Sequence, residues 1–180
     1  METCLAILVR RSRWSETSLI ATWVTDAFGT LQTAARGALR PGGTLTGKLD
    51  LFHRTEISVV FSHKSTLHAL REVRVIEAFT AGARSYAALA LASYFGELTA
   101  AVSPPMQPAH ELHDLLARAL GYLENGTADR RALAHFEREC ARLLGVLDPS
   151  GRVAPHTALA GLCGALPKSR TTAVGLVGDG

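Results

Sequence analysis

The chain has 180 residues, 47% of them hydrophobic, and a formal net charge of +3. This length supports one compact domain or two small ones with a real apolar core. The modest charge excludes a histone-like polycation. Residues 1–79 hold ten Lys and Arg against seven Asp and Glu, whereas residues 80–180 hold nine of each. The excess positive charge therefore lies in the first part, where it indicates either an ordinary solvated surface or a surface for a polyanion.

Before residue 80, apolar residues alternate as they do in β-strands. The five runs cover residues 5–9, 19–24, 31–35, 57–61 and 73–75. Turn-like breaks separate these runs, the first of them at residues 11–13. Five short strands before residue 80 predict a small barrel of the OB-fold type. An SH3-like barrel and a five-stranded sandwich are the alternatives.

After residue 80 the apolar period becomes helical. The predicted helices cover residues 83–101, 112–123, 133–147 and 155–166, with Pro108 in the first turn of the second. From Lys168 the chain is glycine-rich, and we expect a flexible tail over residues 168–180. The predicted class is therefore α+β. A five-stranded OB-fold-like barrel over residues 1–79 is followed by a small helical bundle domain over residues 80–167.

Basic residues flank two predicted loops of the barrel, around residues 11–13 and 37–47. Arginine guanidinium groups donate paired hydrogen bonds to phosphate, and a flexible loop with basic ends can follow a single-stranded backbone. Trp14 lies beside the first loop, either to stack on a base or to close the end of the barrel core. The predicted DNA-binding residues are Arg10, Arg11, Arg13, Trp14, Arg36, Arg40 and Lys48.

Other kinds of chemistry find little support in the sequence. The three cysteines are widely spaced, so neither a disulfide framework nor a thiolate zinc site is expected, and Cys4 and Cys140 fit buried thiols. His110 and His113 lie one helical turn apart, but a third zinc ligand is not identifiable. No nucleophile elbow, P-loop or dinucleotide fingerprint occurs. We therefore expect a protein that is not an enzyme and has no metal site and no cofactor.

The N-terminal sequence has its positive charges after a short apolar run, unlike a secretory signal. No apolar stretch reaches the roughly 20 residues that a helix needs to cross a bilayer. We therefore expect a cytoplasmic protein with no membrane contact.

Several short motifs, in their order and spacing, resemble the RecO family of DNA repair and recombination mediator proteins. Residues 6–9, 16–19, 28–29 and 35–38 follow that family's opening pattern of strands and turns, and residues 136–145 resemble one of its helix ends. The resemblance implies an N-terminal OB-fold and a helical C-terminal domain. It also implies a nucleoid-associated protein that binds single- and double-stranded DNA, anneals complementary strands and assists RecA loading onto strands coated by single-strand binding protein.

The resemblance also bears on partners. It implies contacts with a RecR-like protein and with single-strand binding protein, whose acidic tail needs an apolar pocket with a basic rim. Arg138 and Arg142 are the predicted rim residues, and a solvated helix surface is their alternative role. The family's four-cysteine zinc module is not matched here, where Cys163 is the one cysteine of that region, so we expect a short form without it. The alternative function is a protein adaptor of the same fold with weak or no DNA binding.

Overall fold

The computed structural model describes residues 1–177, and the last three residues of the predicted tail lie outside that range. The chain divides into two compact units. The first contains Met1–Phe79 and Ser103–His113, and the second contains Thr80–Val102 and the described residues from Asp114 onward. The elements in chain order are β1 (Glu2–Arg13), β2 (Leu19–Thr25), β3 (Gly29–Ala35), β4 (Arg54–Val60), β5 (Leu67–Glu77), α1 (Ala81–Arg84), α2 (Tyr86–Val102), α3 (His110–Asn125), α4 (Arg130–Leu143), α5 (Pro155–Cys163) and α6 (Ser169–Leu176).

The five strands form one closed barrel in the order β1-β2-β3-β5-β4. The β3 and β5 strands pair in parallel, and the other neighbouring strands pair antiparallel. A single closed barrel excludes the sandwich, and its strand order with one parallel pair is that of an OB-fold. The predicted α+β class, with an OB-fold-like barrel followed by helices, is confirmed.

In the sequence of β1 the residues Leu5, Ile7 and Val9 alternate, but the residues that face the barrel interior are Cys4, Ala6 and Leu8. Ile7 and Val9 lie on the other face of the strand but are also buried. Because both faces of β1 are apolar and buried, its sequence carries no signal that separates inside from outside.

A β-bulge in β1 decides where its arginines lie. The register shifts between Leu8 and Arg10. Beyond the shift the strand pairs with β2 as far as Arg13, so the predicted turn at residues 11–13 is wrong. Directly opposed residues share one face of a sheet. Arg11 and Arg13 each lie opposite a core residue of β2 and therefore belong to the inner face, although both side chains are exposed. Arg10 belongs to the outer face.

The connection between β2 and β3 is covered by residues 103–109, which we call the strap. The amide of Met106 donates to the carbonyl of Phe28 (2.9 Å), and the amide of Ala109 donates to the carbonyl of Asp26 (2.8 Å). Gly29 has a φ of +59°, and a Cβ at this position would lie 1.9 Å from the carbonyl oxygen of Pro104. The turn therefore needs glycine both for its backbone and for the close approach of the strap.

The predicted helical segments correspond to α2, α3, α4 and α5. Pro108 precedes α3 and does not lie in its first turn. Asp129 caps α4 by accepting a hydrogen bond from the amide of Ala132 at 2.8 Å. The described part of the predicted flexible tail contains helix α6, in which Ala173 is buried. So short a helix depends on tertiary contacts, which composition does not reveal. No helix within residues 1–177 has the length and apolarity to span a membrane.

Candidate nucleic-acid interface

An open cleft of about 500 Å³ lies at the end of the barrel where the β1–β2 loop meets the start of the β3–β4 loop. Its lining has two arginines, three hydroxyl groups and one half-exposed indole, and it contains no acidic side chain. We call it the Arg36/Arg40 cleft. The lining residues are Trp14, Ser15, Thr17, Ser18, Arg36, Gly37 and Arg40.

Backbone hydrogen bonds join the two loops that form this cleft. The amide of Leu39 donates to the carbonyl of Thr17 at 3.0 Å, and the amide of Gly37 donates to Ser18 Oγ at 3.3 Å. Gly37 has a φ of +70°, and a Cβ built on it would lie 3.6 Å from Arg40 Cδ. The arginine stem thus passes over the glycine, and both arginines extend from a fixed backbone.

The loop of residues 37–47 is not the flexible segment that its composition suggests. Leu45 is buried in the barrel core. The amide of Gly43 donates to the carbonyl of Arg40 at 3.0 Å, and Thr46 Oγ1 donates to the same carbonyl at 2.6 Å. Tight turns therefore hold the cationic end of the loop in place, which reduces the entropy lost when an anion binds.

The free cations of the cleft are Arg36 and Arg40. Both are exposed, and neither guanidinium has an ion-pair partner within residues 1–177. Trp14 is 49% exposed, so the structure places it outside the core, although its amide is anchored on the carbonyl of Ser18 at 2.9 Å. Two unpaired guanidinium groups and an exposed indole on ordered backbone suit a phosphate and an adjoining flat ring.

Arg11 and Arg13 are already engaged with the protein itself. Arg11 Nη1 donates to the carbonyl oxygen of Leu49 and forms an ion pair with Asp50 Oδ1 at 3.1 Å. Arg13 donates from Nε and Nη2 to the carbonyl oxygens of residues 15 and 16, at 3.2 and 3.1 Å. Their inner-face position brings them over the loops at the barrel end. Both side chains hold loop backbone in place, and Arg13 orders the loop that carries the cleft hydroxyls.

Arg10 and Lys48 are exposed but do not line the cleft. Arg10 lies opposite Thr22 in the β1–β2 ladder, and Thr22 lies opposite Gln32 in the β2–β3 ladder. These three side chains therefore form a polar row across the outer face of the barrel. The structure thus brings together Trp14 and the two arginines of the cleft. It leaves the other four predicted residues outside the cleft.

The hydroxyl groups of the cleft were missed by sequence reasoning. Ser15, Thr17 and Ser18 lie between the first arginine group and β2, and the run of hydroxyl residues is itself visible in the sequence. The run lies close to Arg36 because the two loops pair with each other, and no local sequence pattern indicates such pairing.

A second cleft, of about 380 Å³, lies between α3 and α4 in the second unit. Its floor is apolar, its rim is basic, and Tyr122 at its edge is 51% exposed. We call it the α3/α4 cleft. The lining residues are Phe95, Leu115, Arg118, Ala119, Tyr122, Arg131, Ala132 and His135.

The predicted rim residues Arg138 and Arg142 do not line this cleft. They continue the stripe of α4 that begins with Arg131 and His135, because residues three and four apart share a helix face. Arg142 forms an ion pair with Glu139 at 3.0 Å. Arg138 and Arg142 therefore share a helix face with Arg131 and His135, and the residues that line the cleft lie about two turns nearer the start of the helix.

Cys4 and Cys140 are buried free thiols, as expected, and burial raises the pKa of each to about 12. His110 and His113 lie in the first turn of α3. Within residues 1–177, the His, Cys, Asp and Glu side chains form no group of three or more that could hold a metal ion.

The strand order of the barrel defines an OB-fold protein with a following helical unit. Comparison with protein families identifies it further. The model described as "Recombination protein O N terminal" matches residues 1–79, and the model described as "Recombination protein O C terminal" matches residues 83–147. The chain belongs to the RecO family.

Individual relatives agree with the family models. The chain is 31% identical over 178 residues to the DNA repair protein RecO of Rhodopirellula baltica, covering 98% of this chain and 63% of that protein. It is 30% identical over 132 residues to the DNA repair protein RecO of Syntrophus aciditrophicus, covering 73% of this chain and 51% of that protein. The chain thus spans between about half and two thirds of the length of these relatives.

Proposed function

We propose that this protein is a DNA repair and recombination mediator that binds and anneals single-stranded DNA. In this proposal it assists RecA loading onto strands coated by single-strand binding protein. It carries out no covalent chemistry, and it works with a RecR-like protein. The observation that carries the proposal is the Arg36/Arg40 cleft, with its two unpaired guanidinium groups on ordered backbone. Family membership supports it, since the relatives are named as DNA repair proteins.

The cleft suits one nucleotide of a single strand. A phosphate between Arg36 and Arg40 accepts charge-assisted hydrogen bonds from both guanidinium groups and from the cleft hydroxyls. The adjoining base stacks on Trp14, a contact of about 1–3 kcal/mol that does not depend on sequence. Arg10 and Lys48 add further phosphate contacts along the strand. Because this nucleotide is held through its phosphate and its base face, its base edge stays open to a complementary strand, as annealing requires.

Salt dependence tests this assignment. Three phosphates are neutralised in this arrangement, one by Arg36 and Arg40 together and one each by Arg10 and Lys48. They predict a slope of about −2.1 for a single strand, so a rise from 50 to 200 mM salt weakens binding about 18-fold. The double variant Arg36→Ala, Arg40→Ala loses one of these phosphates, and the same rise then weakens binding only about 7-fold. We would measure both by fluorescence anisotropy with a labelled 30-mer.

The matched control is Arg71→Ala, Arg74→Ala, which removes the same charge from exposed positions of β5. It should bind with the wild-type slope. A cleft variant that keeps the wild-type slope would overturn the assignment of the DNA surface.

The alternative function is that of a protein adaptor, and the α3/α4 cleft is the observation that favours it. An apolar floor with Arg118, Arg131 and His135 around it fits an acidic peptide that ends in an apolar side chain, such as the tail of single-strand binding protein. A labelled acidic peptide should bind the wild type, and Arg118→Glu with Arg131→Glu should abolish that binding. Peptide binding without any DNA binding at low salt would favour the adaptor over the mediator.

A further inference from the structure

A third cleft, of about 510 Å³, lies at the opposite end of the barrel, where β3 and β5 begin. It differs from the Arg36/Arg40 cleft in that its lining contains no Lys, Arg, Asp or Glu. The side chains that matter here are Gln32, Ser65, Thr66, His68 and Met106. We call it the Met106 cleft. Amide, hydroxyl and thioether groups in a neutral hollow suit an uncharged ring with polar edges better than a phosphate.

His68 keeps one wall of this cleft uncharged and fixed. The ring is buried, and Nδ1 accepts a hydrogen bond from the amide of Ser62 at 3.1 Å. The edge of the ring packs against Phe61 with a centroid distance of 4.8 Å. Burial also lowers the pKa of His68 below its ordinary value, so the imidazole is neutral at physiological pH.

Met106 presents an exposed apolar side chain from a constrained backbone. It is 51% exposed, and its φ of +59° lies in the left-handed region that favours glycine. Its amide is held by the carbonyl of Phe28. Residues with strained backbone of this kind are concentrated at functional sites. A thioether on fixed backbone offers a favourable contact to an aromatic ring.

The polar row crosses the outer face of the barrel between its two ends. Gln32 lines the Met106 cleft and also belongs to the row with Thr22 and Arg10. OB-folds bind oligonucleotides across the face of their second and third strands, between the β1–β2 and β4–β5 loops. The Arg36/Arg40 cleft includes the first of these loops, and the Met106 cleft includes the second. A seven-residue strand spans about 20 Å, within reach of the four or more nucleotides that an OB-fold covers.

We propose that the Met106 cleft is a nucleobase subsite for single-stranded DNA. The thioether of Met106 contacts the face of one base. The Gln32 amide, with the hydroxyls of Ser65 and Thr66, hydrogen-bonds its edge. The strand then crosses the polar row to the Arg36/Arg40 cleft, where its phosphate is held. This inference rests on the proposed DNA binding and adds a second, uncharged contact to it.

The test uses Met106→Gly with Gln32→Ala in the full chain. Glycine relieves the left-handed backbone, so this change does not threaten the fold. The loss of one sulfur–ring contact and one amide hydrogen bond should lower affinity for the labelled 30-mer about 5- to 30-fold. The salt slope should stay at the wild-type value, since no phosphate contact is removed. The control is Gln107→Ala, an exposed strap residue outside the cleft lining, which should bind like the wild type.

A second readout uses 12-mers with one abasic position. The wild type should lose affinity when the abasic position falls at the Met106 cleft, and the double variant should show no such loss, because the two changes remove the same contact. A variant that binds like the wild type overturns this inference, and so does one whose salt slope falls. In either case the loss of slope in the Arg36/Arg40 variant keeps the proposed function standing. If the wild type shows no salt-dependent binding, the proposed function itself is overturned.

Discussion

Replacement of Arg170 by methionine should destabilise the helical unit strongly, because it removes the nearest cation from a buried carboxylate. Glu137 of α4 has a side chain only 6% exposed. Its Oε1 accepts hydrogen bonds from Arg170 Nε at 2.7 Å and from the Tyr94 hydroxyl at 2.8 Å, so α2, α4 and α6 meet at this carboxylate. The hydrogen bonds with Glu137 raise the pKa of Arg170 above its ordinary value. The pair is therefore stronger in the folded state than in the unfolded chain.

The magnitude follows from the geometry. Removal of one partner of a buried ion pair costs about 3–5 kcal/mol. Arg170 is 24% exposed, and Tyr94 still donates to the carboxylate in the variant, which places the expected loss at the lower end, about 3 kcal/mol. Urea unfolding followed by far-UV circular dichroism measures this loss in the helices. Tryptophan fluorescence reports the barrel separately, because Trp14 and Trp23 both lie in the first unit.

The matched control is Arg142→Met, which makes the same chemical change at another arginine–glutamate pair of the second unit. Arg142 meets Glu139 at 3.0 Å, but its side chain is 56% exposed. Exposed pairs contribute about 0–1 kcal/mol. If Arg170→Met costs no more than Arg142→Met, burial does not determine the strength of these pairs, and the reasoning is refuted.

Two further predictions concern the strap and the start of the helical unit. Gly29→Ala should destabilise the first unit by at least about 2 kcal/mol and speed hydrogen exchange at the Met106 amide, since a Cβ would lie 1.9 Å from the Pro104 carbonyl. Unchanged exchange would contradict it. Hydrogen bonds from Thr80 lower the pKa of Glu124 to about 2, so its stabilising effect is complete above its ordinary value of 4.5 and is lost as the pH falls through 2. Glu124→Gln should therefore cost about 1–2 kcal/mol at neutral pH and progressively less as the pH falls below 4.5, as urea unfolding across that range would show.

Apolar periodicity predicted all five strands and the longer helices because it reports burial directly. It failed where both faces of an element are buried, and where tertiary contacts stabilise a short element. On β1 both faces are buried, so the phase of Ile7 and its neighbours was not readable. Helix α6 is short and glycine-containing, and the contact of Arg170 with a glutamate some thirty residues earlier in the chain helps hold it in place. Such a contact has no local sequence signal.

The residue types of the candidate site were predictable from the sequence, but which of its arginines are free to bind a ligand was not. Arginine residues near loops are easily found, and Arg36 and Arg40 do line one cleft with Trp14. Whether a guanidinium is free or hydrogen-bonded to backbone depends on the loop that folds over it. The carbonyl of Leu49 binds Arg11, and nothing in the sequence around residue 11 indicates it.

The bulge in β1 explains how one short run of arginines serves two purposes. In a regular strand of the same sequence, Arg11 and Arg13 would face outward, and the loop carbonyls they bind would lack these donors. With the bulge, these two cations order the loops, and fewer free cations are left for phosphate. Under the proposed function, the few remaining contacts give binding that is moderate and salt-sensitive. A mediator that must release its strand to a recombinase needs binding of that strength, because each extra phosphate contact would slow the transfer.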